Sequence, residues 1–121
     1  MRILIADGND HVRRGVAAIV SSQKNWIVCG EARDGAEAIQ RTFELKPDLI
    51  LLDVSLPDMS GLQVARRVRD NAPETKILVI SNHDAQYLYP RVLQAGGDAC
   101  LDKSRLATDL LETIRKIEAS I

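Results

Sequence analysis

Aromatic side chains are scarce in this chain: Trp26, Phe43, Tyr87 and Tyr89 are its complete set. A core drawn from 121 residues that are 45% hydrophobic must therefore be packed mainly from aliphatic side chains. Cysteine is equally sparse. Cys29 and Cys100 each stand alone inside apolar stretches, outside any CxxC spacing, which argues against a disulfide framework or zinc cluster and casts both as small core residues in a reducing compartment. No apolar run approaches the ~18 residues of a membrane span, and the start, Met1 to Asp7, meets an acid too early for a secretory signal. An excess of one charge is missing too: a formal net charge of −1 gives no overall attraction to nucleic acid or anionic lipid. These absences lead to the expectation of one cytoplasmic domain, 1–121, with no membrane contact.

What is present is a regular alternation. Arg2 to Ala6, Ile27 to Gly30, Asp48 to Leu52, Lys76 to Ile80 and Ala99 to Leu101 are short apolar runs of strand type. Between them lie segments of helical period. Val12, Val16, Ile19 and Val20 carry the first, Ala38, Ile39, Thr42 and Phe43 the second, which Pro47 ends, and Leu62, Val64, Ala65 and Val68 the third. Asp10 is the expected cap of the first helix, and Ser104 of the last, ahead of Leu106, Leu110, Leu111, Ile114 and Ile117. The fourth helix, Asp84 to Gln94, contains Pro90, so it is expected to start late or to bend. Strands alternating with helices pair in parallel through right-handed crossovers, which predicts an α/β fold: a doubly wound five-stranded parallel sheet with five helices. The unbroken apolar run from Leu49 to Leu52 suits a central strand buried on both faces.

Open sheets of this kind hold their chemistry at the carboxyl ends of the strands. With strands one, three, four and five side by side, that edge carries Asp7, Asp53, Ser81 and Lys103. A carboxylate that attacks a phosphoryl group needs a cation to offset charge on the transferred oxygens, a hydroxyl or N–H for one oxygen, and a fixed positive charge for another. Asp53 is the candidate nucleophile, Ser81 the hydroxyl and Lys103 the ammonium, while Asp7 is placed to help hold Mg²⁺. Each residue alone reads as an ordinary loop or surface group. Their placement after successive strands is what makes them a candidate site.

The segments Ile3 to Asp7, Leu51 to Gly61 with its Asp53, Pro57 and Gly61, Ile77 to Ser81, and Ala95-Gly96 followed by Leu101-Asp102-Lys103 together resemble the receiver domain of two-component response regulators. The likeness runs over essentially the whole chain. It implies the flavodoxin-like strand order 2-1-3-4-5, with Asp53 as phosphoacceptor from a histidine kinase or phosphotransfer protein, Ser81 as the hydroxyl that follows the phosphoryl group, and Lys103 as its ion-pair partner. It also implies Mg²⁺ held by Asp7, Asp53 and the Ser55 carbonyl. Val12-Arg13-Arg14-Gly15 resembles the subgroup with helix-turn-helix output domains, so any DNA contact would belong to an effector domain outside this chain.

The chain departs from that pattern at several positions. Receivers usually carry two adjacent acids after the first strand; here the pair is Asp7-Gly8, which weakens the metal site unless Asn9 or Asp10 compensates. A permissive backbone is the structural reason to expect glycine there. Cys100 stands where receivers commonly place a switching Tyr or Phe; Tyr87 or Tyr89 could take over that role, although core packing or surface stacking is the expected part for both, and Asp102 occupies a position that is often apolar. His83 and Ser55 flank the site at positions expected to face the phosphoryl group, and His11 has no evident partner. Two readings follow. One is a phosphorylation-driven switch that reshapes the face of the fourth helix and fifth strand, with homodimerisation as one outcome. The alternative is an atypical pseudo-receiver, a phosphorylation-independent interaction or dimerisation module. An Asp phosphatase is disfavoured because Ser55 replaces its second acid, and flavin binding because no phosphate loop follows strand one. In neither reading is the chain an enzyme that turns over a separate substrate.

Overall fold

The computed structural model describes residues 1–82 and 84–121, and strand alternates with helix along all of it. The elements are β1 (Arg2–Ala6), α1 (Asp10–Ser21), β2 (Ile27–Ala32), α2 (Gly35–Leu45), β3 (Leu49–Asp53), α3 (Gly61–Asn71), β4 (Lys76–Ser81), α4 (Ala85–Gln94), β5 (Ala99–Asp102) and α5 (Leu106–Ala119). A 3₁₀ turn, Lys103–Arg105, leads into α5. The strands form one parallel sheet in the order β2-β1-β3-β4-β5, the flavodoxin-like order that the resemblance implied.

Side chains alternate across a strand, so each central strand feeds two cores. Leu4, Ile50, Leu52, Ile77 and Val79 point to one face and pack with Ala38 and Ile39 of α2, Val64 and Val68 of α3, and Val92 of α4. Ile3, Ile5, Leu49, Leu51, Leu78 and Ile80 point to the other and meet Val16 and Val20 of α1 and Leu110, Ile114 and Ile117 of α5. Every residue of β3 is buried, as its unbroken apolar run predicts. Cys29 and Cys100 are free thiols packed beside the first core. Burial raises the Cys100 thiol to about 11, so it is neutral at physiological pH.

Local chemistry moves two of the expected helix starts. Asn9, not Asp10, caps α1, its side chain accepting from the Val12 N–H at 3.1 Å. Asp10 is instead drawn into an ion pair with Arg13 at 2.5 Å. Ser104 does not cap α5, because the chain first makes its 3₁₀ turn; Arg105 stands at the cap without a side-chain bond, and the first turn is tied by Arg105 to Asp109 at 2.7 Å. Pro90 neither delays nor interrupts α4, which runs from Ala85 to Gln94 with the proline inside it. The cost of the missing donor falls on a single backbone bond, the one to the Gln86 carbonyl.

Gly61 opens α3 directly against the end of β3. A Cβ there would lie 2.3 Å from the Asp53 carbonyl oxygen and 2.7 Å from the Val54 Cα, both backbone atoms with little room to yield. Gly61→Ala should therefore lower stability by about 2–3 kcal/mol, the range of a core overpacking. Chemical denaturation would measure it, and a variant as stable as the parent would contradict the close approach.

Candidate functional site

The parallel register aligns the carboxyl ends of four strands. Ala6 pairs with Leu52, Asp53 with Ile80, and Ser81 with Asp102, so Asp7, Asp53, Ser81 and Lys103 arrive at one edge of the sheet. Asp7 and Asp53 are both buried there. The Lys103 ammonium lies between them, its Nζ 3.2 Å from Asp53 Oδ2 and 3.3 Å from Asp7 Oδ2. The remaining carboxylate oxygens are held by backbone: the Ser55 N–H donates to Asp53 Oδ1 at 3.0 Å and the Asn9 N–H to Asp7 Oδ1 at 2.8 Å. Ser81 is buried at the end of β4, one residue beyond the partner of Asp53.

Electrostatics follow from that crowding. Burial pushes the Asp7 carboxyl above its ordinary range, and the neighbouring Asp53 charge adds to the rise, against the pull of the Asn9 N–H and Lys103. Two convergent carboxylates are a hard-oxygen donor set of the kind Mg²⁺ uses alongside retained waters. Among the described residues no group of three or more His, Cys, Asp or Glu is disposed to hold a metal, so the set stops at two. Neither Asn9 nor Asp10 is free to compensate. The Asn9 side chain is spent on its helix cap and Asp10 on Arg13.

Gly8 is explained by space rather than by backbone freedom. Among the glycines only Gly96 has a positive φ. A Cβ at Gly8 would lie 3.1 Å from the Pro57 ring and 3.3 Å from the Arg33 carbonyl, a tight but not closed pocket. His83 lies outside the described residues. His11 is exposed on α1. Tyr87 and Tyr89 do not replace the missing ring of position 100, because α4 turns Leu88, Val92 and Ala95 toward the core and leaves Tyr87 82% and Tyr89 42% exposed.

Three side chains that support the site were not assigned by their sequence context. Asp58 accepts from the Gly35 and Ala36 N–H groups at 2.6 and 3.0 Å, docking the β3–α3 loop on the start of α2. Those backbone bonds hold its carboxyl below the usual carboxylate range. Arg13 donates to the Asp7 carbonyl at 2.8 Å while paired with Glu31 and Asp10, which pins the β1–α1 loop. Asp102 accepts from the Ala85 N–H at 2.8 Å and so ties β5 to α4 rather than facing solvent. A cavity of about 520 Å³ opens at the opposite edge of the sheet, lined by Phe43, Pro47, Ala72 and Pro73 among others. Of its polar lining, Thr42, Thr75 and Asp48 are already bonded to backbone, and the cavity lies away from the paired carboxylates Asp7 and Asp53.

A parallel sheet of this order with two carboxylates and a lysine gathered at its carboxyl edge is the arrangement that a receiver-type signalling domain requires. The family model for the response regulator receiver domain matches residues 3–115, and the chain belongs to that family. It is 34% identical over 116 residues to the response regulator protein VraR of Staphylococcus saprophyticus, covering 96% of this chain and 56% of that protein. The chain thus spans about half the length of the curated relatives it matches. Among solved structures it resembles a LuxR-family two-component response regulator from Aurantimonas sp. SI85-9A1, with TM-score 0.93 and 27% identity over 98% of this chain and 85% of that one. The response regulator domain of Thermotoga maritima CheB is similar as well, with TM-score 0.87 and 28% identity over 96% and 94% of the two chains. No helix among the described residues is long and apolar enough to cross a membrane.

The raised Asp7 carboxyl has a consequence for stability. Its folded-state pKa lies above the unfolded value, so charged Asp7 penalises the fold above that pKa, and the penalty is relieved as pH falls through it. In metal-free buffer Asp7→Asn should melt above the parent near neutral pH, with the advantage shrinking as pH falls toward 3.8, the ordinary value for an aspartate. Calorimetry across that range measures it; an equal or lower melting temperature at neutral pH would show that Lys103 fully offsets the buried charge.

Proposed function

We propose that this chain, taken as a single receiver domain over 1–121, accepts a phosphoryl group on Asp53 from the phosphohistidine of a histidine kinase or phosphotransfer protein. The observation that carries the reading is the Lys103 ammonium set 3.2 Å from Asp53 and 3.3 Å from Asp7. In the transfer an Asp53 carboxylate oxygen bonds to phosphorus as the donor's P–N bond breaks, and the imidazole leaves with a proton. The Ser55 N–H holds one Asp53 oxygen and orients the carboxylate. Lys103 neutralises charge on the arriving oxygens, and Ser81 supplies the hydroxyl that follows one of them. Asp7, Asp53 and the Ser55 carbonyl are the donors for Mg²⁺, which when bound offsets the remaining negative charge on the transferred group.

The outcome of phosphorylation is a shift in population between two arrangements of the α4–β5 face. Tyr87, Tyr89 and Leu93 lie exposed on α4, and they suit that face to a partner or a second copy of the chain. DNA contact belongs to an effector domain outside this chain, in keeping with the LuxR-family likeness, and the setting is cytoplasmic. A second reading, a phosphorylation-independent pseudo-receiver, draws on one observation: Gly8 supplies no metal ligand, and Asn9 and Asp10 are engaged elsewhere.

Incubation with acetyl phosphate and millimolar Mg²⁺, followed by intact-mass measurement, separates the two. The parent should gain one phosphoryl group and Asp53→Asn none; a parent that stays unmodified would establish the pseudo-receiver reading. Gly8→Asp asks how much the second acid matters. The Pro57 ring has to yield by a few tenths of an ångström to admit the new side chain. Mg²⁺ affinity, read by titration calorimetry, should rise by on the order of tenfold. An unchanged affinity would mean that the β1–α1 loop cannot present a carboxylate at that position.

A further inference from the structure

We infer that Asp102 is the positioning residue that carries the state of the phosphoacceptor pocket to α4, in a chain whose β5 lacks the aromatic ring for that task. The inference rests on the phosphoacceptor reading of Asp53. Asp102 has three connections. It precedes Lys103, whose ammonium contacts both pocket carboxylates. It pairs across the sheet with Ser81, the residue expected to follow the phosphoryl group. Its Oδ1 accepts from the Ala85 N–H at 2.8 Å, the first amide of α4.

The usual aromatic position on β5 offers no such route. Cys100 pairs with Val79 and packs beside the core, with no ring to swing between inward and outward positions. The start of α4 is held by two carboxylates, Asp84 on the Gln86 N–H at 3.0 Å and Asp102 on Ala85. Asp84 moves with the helix it caps, whereas Asp102 belongs to the sheet. Among the described residues, the Asp102 bond is the side-chain hydrogen bond that ties the start of α4 to the strand leading into Lys103. A carboxylate at a helix start is favoured by the unpaired N–H groups there and by the helix dipole, so the bond is a directional tether rather than an incidental contact.

When Ser81 and Lys103 turn toward a phosphoryl group on Asp53, both neighbours of Asp102 move, and the Ala85 bond is broken or remade. The first turn of α4, with Tyr87 and Tyr89 just beyond, is released or reset with it. An apolar residue at 102 would leave the pocket able to load but unable to move α4.

Amide NMR of the full chain with beryllofluoride and Mg²⁺ tests this. In the parent, resonances of Val54 and Ser55 beside the acceptor and of Ala85 to Leu88 in α4 should shift together. In Asp102→Leu the Val54 and Ser55 shifts should persist while most of the α4 response is lost, because the charged hydrogen bond that links the two is removed. Ala85 amide exchange in the unloaded variant should be faster by about tenfold. Asp102→Asn keeps an acceptor oxygen and should restore the α4 response; it also serves where the leucine variant folds poorly. An α4 response in Asp102→Leu equal to that of the parent overturns the inference while leaving the phosphoacceptor reading intact. Absence of any shift at Val54 and Ser55 in the parent overturns that reading, and this inference with it.

Discussion

Two buried carboxylates share one ammonium, and most of the local architecture at the carboxyl edge of the sheet is arranged around that fact. Asp7 and Asp53 each sit at the end of an apolar strand where water is largely excluded, and an isolated pair of like charges there would be strongly unfavourable. Lys103 reaches both, and two backbone N–H groups take the oxygens it leaves. The 3₁₀ turn that begins at Lys103 keeps the side chain at the strand end, beside its partners. A helix capped by Ser104 would start the chain on a different course at the residue that has to reach back into the pocket, which is why the Ser104 signal loses.

Loops carrying these groups are secured by side chains that bond to backbone. Arg13 grips the carbonyl of Asp7, Asp58 the amides that open α2, and Asp102 the amide that opens α4. All are charge-assisted bonds, which are shorter and stronger than neutral ones. The Asp58 and Asp102 bonds join a loop or strand end to an element 17 or more residues away in sequence, and the Arg13 bond ties α1 back onto Asp7 at the end of β1. The edge of the sheet is thus a set of cross-tied loops rather than independent turns.

The fold was largely legible because its signals are redundant. Runs such as Leu49 to Leu52 and Ile77 to Ile80 are too apolar to be surface, too short to be helices, and separated by segments of helical period. Asp7, Asp53 and Lys103 were found because parallel strands bring every carboxyl end to the same edge, a consequence of topology alone. What failed was local and competitive. Asn9 and Asp10 are both good caps, and the choice was made by Arg13, which removes Asp10. Asp102 gave no periodic signal, since its partner is a backbone amide, and every residue but proline has one of those. Gly8 was misread as a need for backbone freedom, although the restriction is the Pro57 ring, which lies close to it only after the β3–α3 loop has closed.

Gly8 also changes the charge problem that an incoming phosphoryl group meets. With Asp7, Asp53 and Lys103 ionised, the pocket carries one net negative charge; a second acid beside Asp7 would make it two. The lower charge weakens attraction for a divalent cation, because each carboxylate contributes both a ligand oxygen and Coulomb energy. It also weakens repulsion toward a phosphoryl dianion by the same law. A pocket with one fewer acid therefore depends less on metal to make the approach tolerable and more on Lys103, the fixed charge that remains. The loss of one carboxylate does not by itself move the chain into the inert class. On the proposed phosphoacceptor reading, it would shift the electrostatic work from a bound ion to a lysine already in contact with both acids, and acceptance of the phosphoryl group would depend most on Lys103.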